Sequence, residues 1–378
     1  MSLEQPLGVY VHWPYCARIC PYCDFNVVRD RGGSGEALVR AILADLEGHA
    51  ARLGERQLTS IFFGGGTPSL MRPEDVARVI EAAKRLWPAA SDLEVSLEAN
   101  PTDAESGRFA ALATAGVNRL SLGVQSFDDN DLRFLGRNHD AAAARRAVNQ
   151  AMASFRRVSV DLIYALPGQT APKWAAALVE VAGLGVEHIS PYQLTIEAGT
   201  AFDRQVRRGT IKPASDDLGA ELYETTQTVL QDAGFEAYEV SNHARGDAAR
   251  SRHNLIYWRG QDYVGVGPGA HGRLTLADGR YATEAARAIP AYIAQVGRSG
   301  MGCDPERLAL RERALERLLM GLRTVEGVAC TDLEPLSIGA ERIADLDGLI
   351  RLEGGRLVAT AEGRPVLDRV IAELAHAH

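Results

Sequence analysis

Cys16, Cys20 and Cys23 stand within eight positions, spaced C-x3-C-x2-C, in a chain with five cysteines in all. Three thiolates this close can each hold one iron of a cubane [4Fe-4S] cluster. The fourth iron is then left without a protein ligand and open to an exchangeable one. A structural zinc site asks for four closed ligands, usually from two separated pairs, and no second pair follows here. His12 could complete a Cys3His zinc site, and a redox or disulfide role is a further alternative. Cys303 and Cys330 stand alone and read as buried or incidental thiols.

The rest of the composition bounds the setting. A chain of 378 residues can bury a large core and divide into domains. A formal net charge of −8 argues against a broad nucleic-acid surface. No apolar run approaches bilayer length, and the opening "MSLEQPLGVY" has no signal-peptide pattern. The expected compartment is the cytoplasm, where thiols stay reduced and clustered cysteines read first as metal ligands or redox groups.

Elements that could position the cysteines alternate through the first half. Strands are expected at 8–13, 60–65, 93–99, 119–125, 158–166 and 187–195. Amphipathic helices are expected at 36–53, 73–87, 104–115, 140–154 and 171–183. Six such units in a row predict parallel strands with right-handed crossovers, either a barrel-like or an open doubly wound sheet. The polar and Gly-rich stretches "GGGTP", "EANP", "GVQS" and "DLIYALPG" follow strand after strand, at the ends that carry chemistry in such folds. Six units fall short of a full barrel, so one side could stay open to a large substrate.

Beyond residue 200 the pattern changes. A helix is expected at 215–233, capped by Ser215 and stopped by Gly234, followed by the short strand "FEAYEVSN". "SRHNLIYWRGQDYVGVGPGAHG" reads as loop-rich and aromatic. A charged helix at 306–323, a hairpin at 349–360 around Gly354 and Gly355, and a helix at 363–375 suggest a small α+β, winged-helix-like module. The expected division is 1–200, 201–300 and 301–378.

"YVHWPYCARICPYCDF" resembles the signature of the radical S-adenosylmethionine (SAM) superfamily, with Tyr22 as its aromatic. Its "YVHxPxC" opening is similar to the branch around oxygen-independent coproporphyrinogen III oxidase, over nearly the whole chain. The resemblance implies an α/β fold with a partial (β/α)6 TIM-like barrel, a [4Fe-4S] cluster on the three cysteines, and SAM chelated at the open iron. An electron from the cluster would cleave the sulfonium to a 5′-deoxyadenosyl radical. The resemblance also implies SAM contacts at Gly65, Gly66 and Thr67, then Glu98, Gln125, Arg137 and Asp161, with Tyr10 and Tyr22 nearby. A Gly-rich turn lets backbone approach a ligand and offers N–H groups. A carboxylate such as Glu98 suits a sulfonium and an ammonium, Asp161 could accept from ribose hydroxyls, and Arg137 could grip a carboxylate bidentately.

Phe25 occupies the place of an additional cysteine in the oxidase pattern, and the chain starts 15 residues before Cys16, where the oxidase carries a longer segment. Both features match instead the related HemW family of haem chaperones, as does "HNLIYW" (253–258). In that reading haem is bound cargo, His253 offers an imidazole to iron, and Tyr257 and Trp258 offer flat faces to a porphyrin. His243 and His271 are rival ligands. Implied partners are recipient haemoproteins such as respiratory enzymes and an electron donor such as flavodoxin or ferredoxin. A peripheral membrane contact would accompany delivery to membrane enzymes, although no basic amphipathic anchor stands out. The alternatives are an enzyme that oxidatively decarboxylates two propionates of coproporphyrinogen III, or another radical SAM enzyme acting on tetrapyrroles.

Overall fold

Strands covered on both faces read as apolar runs rather than alternations, and β1 (Pro6–Trp13) and β2 (Gln57–Gly65) do so: Leu7, Val9, Val11, Leu58, Ile61 and Phe63 are wholly buried. The computed structural model describes residues 5–32 and 35–375. Between these strands runs α1 (Glu36–Leu53), whose Leu38, Ile42, Leu46 and Leu53 face the sheet as their spacing predicts. There follow α2 (Pro73–Leu86), β3 (Ala89–Ala99), α3 (Arg108–Thr114), β4 (Arg119–Gln125), α4 (Ala141–Ser154), β5 (Arg157–Tyr164), α5 (Ala171–Gly183) and β6 (His188–Gln193). Each strand pairs in parallel with the next. The helix expected from 104 starts four residues later, because Gly107 turns left-handed (φ 67°) after a 3-10 turn at Pro101–Ser106.

The sheet does not stop at six strands. After α6 (Asp216–Asp232), two short strands, Glu236–Ala237 and His243–Ala244, extend its β6 edge antiparallel. Then α7 (Arg252–Trp258) leads into β7 (Asp262–Val266), which pairs in parallel with β1 from Leu7–Asp262 to Val11–Val266. β8 (His271–Leu276), β9 (Gly279–Glu284) and Glu306–Arg307 continue on that side, giving one open sheet of twelve strands. Within residues 201–300, β7, β8 and β9 thus extend the sheet on its β1 side.

Two local readings change. "RHNLIYW" is helical: Ser251 Oγ accepts from Asn254 N at 3.3 Å, and the buried Glu94 carboxylate on β3 accepts from Arg252 N and His253 N at 3.1 and 3.2 Å. The charged helix begins at Leu310, because Glu306–Arg307 pairs with β9. After α8 (Ile289–Ser299), this helix, α9 (Leu310–Gly321), packs with a three-stranded sheet (Val328–Ala329, Ile350–Glu353, Arg356–Ala359) and the helix Leu367–Ala375. Leu318, Leu322, Val328, Leu357, Val370 and Leu374 form a core separate from the barrel's. Among the described residues no helix is long and apolar enough to cross a membrane.

Candidate functional site

The cysteines lie on the loop after β1. A parallel pair of two-residue strands, Tyr15–Cys16 and Val28–Arg29, closes this loop, and Cys23 N donates to Cys20 O at 3.2 Å within it. All three thiols are free and line one cavity of about 500 Å³ at the C-terminal ends of the parallel strands. Burial pushes the Cys16 thiol up and the Cys23 thiol up to about 11, so loading with metal must release protons. Arg137 brings positive charge to the loop, with NH1 3.3 Å from Cys20 Sγ and further bonds to Asn100 Oδ1 and Gly123 O. Its Nε is buried without a hydrogen-bond partner among the described residues. His12 does not complete a zinc set. Its Nδ1 faces Tyr10 OH at 3.0 Å and its Nε2 faces Asn26 O at 2.9 Å, so both ring nitrogens are committed.

Gly65, Gly66 and Thr67 stand at the end of β2, in the same cavity. Their amides, expected to face a ligand, are turned into the protein instead. Gly65 N donates to Glu98 Oε2 at 3.1 Å, Gly66 N to Trp13 O at 2.7 Å and Thr67 N to Tyr15 O at 2.9 Å. The loop therefore clamps itself to the cysteine segment. A Cβ on residue 66 would stand 2.7 Å from Tyr15 O, which is why glycine is needed there. Asn100, which the sequence reading passed over inside "EANP", ties the parts together by bonding both Thr67 Oγ1 and Arg137.

Glu98 and Asp161 are brought together across the strand ends. Burial, then the nearby Asp161 charge, pushes the Glu98 carboxyl up to about 8; burial pushes Asp161 up to about 6 despite the Ser121 hydroxyl and the charges of Arg119 and Arg137. Ser121 Oγ lies 3.1 Å from both Asp161 oxygens. Glu98 and Asp161 line the cavity, and among the described residues neither forms an ion pair, so they fit a ligand that carries ammonium and sulfonium charge. Gln125 joins them at φ 68°, a left-handed conformation that costs a non-glycine residue about 1–3 kcal/mol. A cationic ligand favours the ionised carboxylates, so its binding expels protons. SAM affinity should therefore rise by up to about tenfold per pH unit between pH 6 and 8 and then level off. Isothermal titration at several pH values checks this; a flat profile, or one unchanged in Glu98→Gln, would contradict it.

A second cavity of about 500 Å³ adjoins the first and shares Asp24, Phe25, Gly65 and Glu98 with it. Its walls are aromatic, with Tyr10, Tyr257, Trp258 and Tyr263, while His271, Arg287 and Met320 add polar or soft groups. Tyr10, expected beside SAM, lines this cavity and not the cysteine one. Trp258 Nε1 is buried without a hydrogen-bond partner. Asn26 stitches the cysteine loop to this side through Pro268 O at 2.8 Å and Arg287 O at 2.9 Å.

His253 is corrected by the structure: it lies behind this wall, not in it. It is 1% exposed, bonded to Ser60 Oγ and Tyr257 OH at 2.7 Å each, and stacked on Phe62 at 5.0 Å. Burial pushes its imidazole down to about 3, so it is neutral. His243 is also buried, near Gln227, and lines neither cavity. His253→Ala should lower stability by about 1–3 kcal/mol through the orphaned partners, read from denaturant unfolding. A variant as stable as the wild type would contradict the buried hydrogen-bonded role.

A family model described as "Radical SAM superfamily" matches residues 10–180. The chain is 42% identical to mouse "Radical S-adenosyl methionine domain-containing protein 1, mitochondrial", over 99% of this chain and 88% of that one. It is 36% identical to "Heme chaperone HemW" of Mycobacterium tuberculosis, over 98% and 95%. Among solved structures, the coproporphyrinogen III oxidase HemN of Escherichia coli superposes with a TM-score of 0.80 at 22% identity, over 99% of this chain and 91% of that one, a likeness of fold.

Proposed function

Because the chain belongs to the radical SAM superfamily, in the branch that holds the HemW proteins, we propose that it is a haem chaperone. It takes up haem in the aromatic cavity and passes it to recipient haemoproteins. The observation that carries this reading is the wall of Asp24, Phe25, Gly65 and Glu98 common to the aromatic and cysteine cavities. Tyr257, Trp258 and Tyr263 offer faces to a porphyrin, and Arg287 and the unpartnered Trp258 N–H suit its propionates. On the other side of the wall, Cys16, Cys20 and Cys23 would hold a [4Fe-4S] cluster with Arg137 offsetting its negative charge. Glu98 and Asp161 would face the cationic end of SAM. With its amides committed, the glycine loop offers an ammonium its carbonyl oxygens. When bound, the cluster supplies a one-electron donor next to the sulfonium. A flavodoxin- or ferredoxin-like protein is the proposed electron source, and peripheral membrane contact the proposed route to membrane-bound recipients.

The oxidase reading requires turnover of coproporphyrinogen, and Phe25 stands where its pattern has a cysteine. Anaerobic incubation of cluster-loaded protein with coproporphyrinogen III, beside haem titration and transfer to an apo-haemoprotein, separates the two. The chaperone reading expects haem uptake and transfer with no decarboxylated product. A protoporphyrinogen product from the wild-type chain, or no haem uptake at all, would overturn it.

A further inference from the structure

We propose that haem iron in the aromatic cavity is held between the imidazole of His271 and the thioether of Met320, which makes the C-terminal module one half of the haem site. This inference rests on the haem-binding reading above. Of the imidazoles near the cavity, His12 has both nitrogens committed and His253 is sealed behind Tyr257. His271, the first residue of β8, lines the cavity with a side chain 57% exposed. Glu284 Oε1 lies 4.0 Å from its Nε2. The phenols are poorer candidates, because Tyr257 OH is spent on His253 and burial raises the Tyr10 and Tyr257 hydroxyls well above their usual range.

Met320 comes from a different domain. It sits in the last turn of α9, half-buried, and lines the same cavity. Arg273 of β8 bonds Glu316 of α9 through Nε and NH2 at 2.6–3.0 Å, which locks helix to strand. His271 is two residues before Arg273, on the same face of the strand. Met320 is four residues after Glu316, on the same face of the helix. The ion pair thus ties together the strand and the helix whose His271 and Met320 line the same cavity. Arg317 NH1 adds a bond to Trp258 O at 3.0 Å, so the helix also grips the aromatic wall. A nitrogen and a soft thioether form the His/Met axial set known from electron-transfer haem proteins. Unseating the module would remove one axial ligand, which gives the fold a means of loosening haem for hand-over.

The test is absorption and magnetic-resonance spectroscopy of haem-titrated full-length protein, with haem loss followed by capture in apomyoglobin. Wild type should be six-coordinate and low-spin, with a thioether-to-iron band in the ferric form. Met320→Leu, nearly isosteric, should turn it five-coordinate and high-spin and speed haem loss by on the order of tenfold. Met320→His should restore a low-spin, bis-imidazole spectrum, a gain that damage to folding cannot mimic. His271→Ala should weaken haem binding by at least about tenfold. Wild-type spectra in Met320→Leu or His271→Ala would overturn the ligand pair and leave the chaperone reading standing. A wild-type protein that takes up no haem would overturn both.

Discussion

Cys20→Ser should emerge from anaerobic reconstitution colourless, with iron falling from about four per chain to below about one. In the proposed ligation the three thiolates are the whole protein share of the site, so removing one would leave two irons without protein ligands. No other cysteine stands ready to substitute. Cys303 is buried 3.9 Å from His49 Nε2, away from the cavity, and Cys330 belongs to the C-terminal module. Serine matches cysteine closely in shape, and Arg137 keeps Asn100 and Gly123 as partners. The apo-variant should therefore melt close to the apo-wild type. Iron, sulfide and visible absorption measure the outcome, and full cluster content in the variant would remove the cysteines from the role assigned to them. The same holds for Cys16→Ser and Cys23→Ser.

Glu94→Ala should lower stability by about 3–5 kcal/mol, read from denaturant unfolding of the purified chain. The side chain is wholly buried, 2.8 Å from Arg157 NH1, and it accepts the first two amides of α7. Its removal strands Arg157, whose other carboxylate, Glu187, is partly exposed, and uncaps the helix that carries Tyr257 and Trp258. Burial pushes the Glu94 carboxyl up, but Arg119 and Arg157 outweigh it and hold it below the usual range. A depressed pKa stabilises the folded state above the unfolded-state value, and that contribution fades as pH falls through the folded-state one. The gap between wild type and variant should thus be full at neutral pH and close in acid. A loss below about 1 kcal/mol at pH 7 would mean that Glu94 does not anchor α7.

Local chemistry made much of this architecture readable from sequence. The six parallel strands and their helices carry strong periodic patterns, and the polar residues that end each strand converge where parallel folds place their sites. Glu98, Asp161, Arg137 and the three cysteines share one cavity for that reason. What stayed hidden depends on contacts distant along the chain. β7 is short, and its apolar residues gave no sign that it would pair with β1 some 255 residues earlier. The helicity of "RHNLIYW" depends on a carboxylate from β3, and seven residues are too few to display a helical period. The burial of His253 follows from Ser60, Phe62 and Tyr257 closing around it. Met320 reads in sequence as one more apolar position on an amphipathic helix. The Arg273–Glu316 pair, bridging β8 and α9, and the Arg317 bond to Trp258 O bring its helix to the aromatic wall.

The most direct test is electron paramagnetic resonance of the reconstituted, reduced cluster, recorded with and without SAM. Coordination at the iron that Cys16, Cys20 and Cys23 leave free should shift the g-values on addition of SAM, and Glu98→Gln should weaken that response. A fully loaded cluster whose signal is indifferent to saturating SAM would contradict the account at its base.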